Sequence, residues 1–184
     1  METSQDAVER LIEEARNQGE ASDRHRHAMM AASRRRQEAI LSLHALGLSV
    51  RQIAKRLGCS AGVVQSALKT AKSRRPVLER REERIPYELH VELVRALSNE
   101  GERLRKLGIE NLKRMRAQQR NPVAEHWLAE WDRVLQLPIE EWEDNLLAAN
   151  ELGSEMRQMS PFAGALSDEE RIIAIRKAKT LAPK

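Results

Sequence analysis

The chain has 184 residues, 33% of them charged and 41% hydrophobic but only 3% aromatic, with a single cysteine, Cys59. That length allows one large domain or two small ones, the abundance of Ala, Leu, Glu and Arg favours helix, and one cysteine excludes an intramolecular disulfide and any multi-cysteine metal site. The net charge of +4 is uneven: residues 1–32 hold four Arg/Lys against seven Asp/Glu, residues 33–76 ten against the single Glu38, and residues 77–184 18 against 20.

The N-terminus, METSQDAVER, is acidic and polar where a secretory leader would be basic and then apolar. No apolar run approaches the roughly 20 residues that span a bilayer. A cytoplasmic protein without a membrane partner is expected. Along residues 5–17, Val8, Leu11, Ile12 and Ala15 share one helical stripe, either a strut folded on the body or a short dimerisation helix. Gly19 is expected to interrupt before a second helix over about 22–46. The histidines of "HRH" (His25–His27) do not converge on a metal, and solvent or phosphate is their expected neighbour.

The stretch "LSVRQIAKRLGCSAGVVQSALKTAKSRRP" (48–76) carries most of the functional information. Ser49 and Gln52 have capping-box spacing. Ile53, Ala54 and Leu57 form the inner face of a short helix, and Gly58 supplies a left-handed turn. Ser60 is a second N-cap. Val63, Val64, Ala67, Leu68 and Ala71 form the buried stripe of a second helix, 61–72. Outward stand Ala61, Gly62, Gln65, Ser66, Lys69 and Thr70, with no acid among them. The +9 block around this pattern points to a polyanionic partner.

On those residues the stretch resembles the helix-turn-helix of bacterial DNA-binding proteins, in the broad group that includes resolvases and sigma-factor region four. The resemblance covers residues 34 to 75. The small residue at the helix crossing matches Ala54, the turn glycine Gly58, the apolar residue after the turn Cys59, and the buried positions of the second helix Val64 and Ala67. Ala67 is smaller than the usual Ile or Leu. The resemblance implies a recognition helix in the major groove, with bases contacted by Ser60, Ala61, Gly62, Gln65, Ser66 and Lys69. Arg34, Arg35, Arg36, Arg51, Lys55, Thr70, Lys72, Arg74 and Arg75 would contact phosphates, adding affinity and register without reading sequence.

Residues 77–85, within "SRRPVLERREERIP", read as a charged linker with prolines at both edges. Beyond it four or five helices are expected. Pro86 opens one with Leu89, Leu93, Val94 and Leu97; a second surrounds Leu104, Leu107, Ile109, Leu112 and Met115, with Gly108 bending or breaking it. Asn121-Pro122 starts a third, bearing Trp127, Leu128, Trp131, Val134 and Leu135. Pro138 opens another with Trp142, Leu146 and Leu147, and Ser167 with Glu170 caps the last. Trp127 and Trp131 share a face, as core or, if exposed, as a partner-binding hot spot. Pro161 fixes the connector "SPFAG", where Phe162 plugs a core.

The segments "EHWLAEWDRVLQLPIEEW" and "EMRQMSPFAGALSDEER" are similar to the C-terminal part of actinobacterial helix-turn-helix proteins, some of them antitoxin-like. That resemblance implies a protein partner for this half, or a role in shaping a dimer. The sequence thus predicts an all-α protein: an N-terminal helical segment (1–32), a trihelical helix-turn-helix (33–76), a linker (77–85) and a C-terminal helical bundle (86–184). The expected function is a transcriptional regulator binding double-stranded DNA sequence-specifically as a homodimer, with no cofactor, no metal and no catalytic activity. The alternative is an antitoxin-type protein whose C-terminal half binds a protein partner while the helix-turn-helix autoregulates.

Overall fold

Gly19 does not interrupt the first helix. In the computed structural model, which describes residues 4–78, 81–118 and 122–181, α1 runs unbroken over Ser4–Ala45. A helical glycine costs about 1 kcal/mol against alanine, too little to end a helix without a proline or a competing turn. The remaining helices are α2 (Val50–Leu57), α3 (Ala61–Ser73), α4 (Arg84–Gln118), α5 (Pro122–Gln136), α6 (Trp142–Leu146), α7 (Glu151–Gln158) and α8 (Asp168–Leu181). No strand occurs among the described residues, as an all-α fold requires. No helix is long and apolar enough to cross a membrane.

The chain forms two compact units, residues 1–39 and 40–184. In the first, Val8, Leu11 and Ile12 are 52%, 61% and 47% exposed, so the stripe read from the sequence is present but uncovered. Arg34, Arg35 and Arg36 are also exposed.

The second unit holds two apolar clusters. One is the helix-turn-helix core, made of Ile40 and Leu41 from the end of α1, Ile53 and Ala54 from α2, and Val64, Ala67, Leu68 and Ala71 from α3. The other gathers Leu93, Leu104 and Leu112 of α4 with Leu128, Trp131, Val134 and Leu135 of α5, then Trp142, Leu146, Met156 and Phe162. Phe162 fills the position expected of it, edge-on to Trp131 with centroids 5.6 Å apart and 5.8 Å from Trp142. Asn111 locks this connector by donating from Nδ2 to the carbonyls of Pro161 (2.7 Å) and Ala163 (2.9 Å).

The two helices expected between Pro86 and Met115 are one, α4, of 35 residues. Pro86 lies in its first turn, where the missing N–H costs nothing. Gly108 breaks nothing, because its value is the absence of a side chain. A Cβ there would stand 2.7 Å from Leu135 Cδ2 and 3.2 Å from Phe162 Cε1. Gly101 plays the same part beneath Ile139, 2.7 Å from Cδ1. Both glycines let neighbouring elements approach the α4 backbone.

Further along, Asn121 lies outside the described residues, while α5 does begin at Pro122. The helix expected at Pro138 starts as a 3-10 turn (Ile139–Glu141) and continues as α6. Helix α7 is capped by Asn150, whose Oδ1 accepts from the Gly153 N–H at 2.9 Å. The capping box on α8 is formed: Ser167 Oγ accepts from Glu170 N–H at 3.3 Å and Glu170 Oε2 from Ser167 N–H at 2.8 Å.

Buried charge joins the end of α3 to α4 and α8. Arg75, just past α3, makes a bidentate pair with Glu88 of α4, through Nε (2.9 Å) and Nη2 (3.0 Å). Lys177 of α8 is fully buried, with Nζ 2.5 Å from Glu92 Oε1 and 3.7 Å from Glu88 Oε2. Glu92 also pairs with the partly exposed Arg95 at 2.5 Å, so the two buried carboxylates are matched by the buried Arg75 and Lys177 and by Arg95, the pairing a buried charge demands. Leu181, at the end of α8, packs on the helix-turn-helix core. Residues 40–184 fall in one compact unit.

Candidate nucleic-acid interface

The turn between α2 and α3 is built by three local devices. Ser49 Oγ accepts from the Gln52 N–H (3.3 Å) and Gln52 Oε1 from the Ser49 N–H (2.8 Å), completing the capping box on α2. Gly58 ends α2 at φ 63°, ψ 34°, a left-handed conformation that glycine adopts without a Cβ penalty. The next amide, Cys59 N–H, closes the turn onto the Ala54 carbonyl at 3.1 Å. Ser60 then caps α3, its Oγ accepting from the Val63 N–H at 3.3 Å. Cys59 is half-buried and packs on the helix-turn-helix core, a structural role.

With Val64, Ala67, Leu68 and Ala71 committed to that core, the opposite face of α3 is fixed by the helical period. Ala61, Gly62, Gln65, Ser66, Lys69 and Thr70 are all exposed, as the outward positions read from the sequence should be. Ser60 is exposed too, and its hydroxyl, although accepting the cap bond, keeps its own proton to donate. At this end of α3 the first-turn amides have no intrahelical partner and the helix dipole favours an anion. Small residues at 61 and 62 let another backbone come close. Arg51, Lys55, Lys72 and Arg74 are exposed on the same unit. The face is therefore short, polar and cationic, and no acidic residue occurs in the sequence from residue 39 to residue 78.

Some assignments shift. Arg75, expected on a phosphate, has only 7% of its side chain exposed and gives Nε and Nη2 to Glu88. Val63, expected in the buried stripe, is 42% exposed, and Leu57 is 43% exposed. Four buried positions at 64, 67, 68 and 71 already complete the inner face, so the adjacent Val63 is rotated out beside Gly62. Arg56 is an exposed cation on α2 that sequence reasoning did not include among phosphate contacts; its place in the +9 block was the available signal. Trp131 is 1% exposed and donates from Nε1 to the Met156 carbonyl at 2.9 Å, while Trp127 is half-buried against the same core. Both tryptophans are core residues.

Comparison with known proteins agrees with this geometry. The profile of the family described as Sigma-70, region 4, a helix-turn-helix DNA-binding domain, matches residues 28–74. The match takes in the last part of α1 and all of α2 and α3. No curated protein matches the chain, and no solved structure does.

Proposed function

We propose that the protein is a sequence-specific transcriptional regulator that binds double-stranded DNA by seating α3 in the major groove, and that it acts as a homodimer without catalysing a reaction. The observation that carries this reading is the outward face of α3: exposed, capped, small at its N-terminus and free of acid. In this reading Gln65 pairs with adenine, and Lys69 with guanine or a phosphate. Ser60 and Ser66 donate to a base edge or phosphate, the amides of Ala61 and Gly62 meet a phosphate, and Val63 packs on a thymine methyl. Arg51, Lys55, Lys72 and Arg74 hold the backbone, with Thr70 and Arg34–Arg36 as further phosphate ligands. One recognition helix buries too little surface for high affinity, which favours two copies on a two-fold site.

The test is fluorescence anisotropy with the full chain on duplexes from its own upstream region and on random duplexes. Arg51, Lys55, Lys72 and Arg74 alone give about eight phosphate contacts per dimer and a slope of log K against log salt of about −7, and with Arg34–Arg36 the count is about fourteen and the slope about −13. Gln65→Ala/Lys69→Ala should abolish the preference for the cognate duplex while leaving weak, salt-sensitive binding. Salt-insensitive or sequence-blind binding by the unaltered protein would refute the reading.

The match to sigma region 4 favours a second reading, in which α3 reads promoter DNA only as part of a polymerase assembly. That version predicts no specific binding by the chain alone and recovery when core polymerase is added. The antitoxin-type alternative has less support, because Trp127 and Trp131 are spent on the core rather than offered to a partner.

A further inference from the structure

Helix α1 carries an apolar face that nothing in its own unit covers. Leu11 and Met29 are eighteen residues apart, as are Ile12 and Met30, which is five full turns, so each pair lies on one line along the helix. Leu11 is 61% exposed, Ile12 47%, Met29 69% and Met30 48%. Between these two apolar ends the same face narrows to Ala15, Gly19 and Ser22, all exposed and all small.

The charge on α1 is just as ordered. Residues 4–20 carry five acids against two arginines, a net of −3, and residues 21–37 carry five arginines against Asp23 alone, a net of +4. Two copies laid parallel would set −3 on −3 and +4 on +4. Laid antiparallel about a two-fold axis between Glu20 and Ala21, they set each −3 half on a +4 half, twice. The same axis brings Leu11 against Met30, Ile12 against Met29 and Gly19 against Ser22. The apolar ends then cover one another, and small residues sit where the backbones approach most closely. Glu9 falls beside Arg34 on the flank of that seam. Arg26, which shares the face, is exposed and already paired with Asp23 at 2.7 Å, and its stem can lie over the partner's Ala15 while its head stays in water.

We propose that α1 is the dimerisation element and that its partner is α1 of a second copy, running antiparallel. This deepens the homodimer part of the proposed function and rests on that part, not on the DNA contact. Because the seam lies within residues 4–37, it is testable without DNA.

The experiment is sedimentation velocity and light scattering on the full chain, free of DNA. The unaltered protein should run at twice 21.0 kDa. Leu11→Gln/Ile12→Gln should weaken dimerisation at least about tenfold, with the thermal transition of residues 40–184 unchanged as the check on folding. Glu9→Gln/Glu13→Gln/Glu14→Gln fixes the direction: it weakens an antiparallel dimer by removing attraction and strengthens a parallel one by removing repulsion. A monomer at about 100 µM, a dimer indifferent to Leu11→Gln/Ile12→Gln, or one tightened by the three Glu→Gln changes would each overturn the proposal. An intact dimer that binds no cognate duplex would leave it standing and remove the DNA-binding reading instead.

Discussion

His90 sits fully enclosed on α4, and its hydrogen bonds fix its tautomer. The Pro86 carbonyl, 2.7 Å from Nδ1, can only accept, so Nδ1 carries the proton. Nε2 is then the acceptor for the Ser160 hydroxyl at 3.0 Å, whose oxygen also receives the Phe162 N–H at 3.4 Å. The ring stacks on Trp131 with centroids 6.0 Å apart. Protonating Nε2 would reverse the Ser160 bond and place a cation in the core. Burial is the main reason the pKa falls from 6.5 to about 4; the Pro86 bond pulls it up a little and the Arg157 charge pushes it down again. A depressed pKa in the folded state means the unfolded chain binds the extra proton first as pH falls. Stability from this residue is complete above 6.5 and is lost as pH drops towards 4. The full loss is about 3 kcal/mol, and about 2 kcal/mol of it has gone by about pH 5. Urea unfolding at neutral pH and at about pH 5 measures this, with His90→Gln as the non-titrating reference that cancels the carboxylates. If both proteins lose stability equally over that interval, the neutral buried imidazole is refuted.

Two further outcomes follow from the packing. Glu88→Gln leaves Arg75 and Lys177 buried with one carboxylate between them, and should cost about 3 to 5 kcal/mol in denaturant unfolding; a loss under about 1 kcal/mol would mean that water reaches the cluster. Gly19→Ala and Gly108→Ala should have opposite signs in thermal unfolding. The first gains up to about 1 kcal/mol of helix propensity within one chain, where nothing of its own chain lies within 4 Å of the new methyl. The second forces that methyl to within 2.7 Å of Leu135 and loses about 1 to 3 kcal/mol to overpacking.

The parts of the fold legible in the sequence were those specified within a few residues. The Ser49–Gln52 box, the Gly58 turn, the Ser60 cap and the Ser167–Glu170 box each depend on neighbours at most four positions apart, and each is formed. Most of the outward face of α3, Ala61, Gly62, Gln65, Ser66, Lys69 and Thr70, was legible for the same reason, with Val63 the exception. What escaped was set at long range. Gly108 reads as a helix breaker until Leu135 and Phe162 arrive from elsewhere in the chain. Arg75 is indistinguishable in sequence from Arg74, and only Glu88 on α4 separates a structural arginine from one facing solvent. Val63 and Val64 are the same residue type side by side, and the choice between them depends on where Ile40 and Leu41 pack.

The charge cluster at Arg75, Glu88, Glu92 and Lys177 also sets the limits on how this DNA-binding element can be moved or borrowed. Here residues 40–76 end on a guanidinium whose counter-charge lies on α4 and whose core is closed by Leu181 from α8. A graft that stopped at residue 76 would carry off Arg75 and leave Glu88 and Lys177 mismatched in the donor. A chimera that keeps these charges paired and this core closed must carry the chain through to the end of α8, so that the helix-turn-helix is inherited with its scaffold.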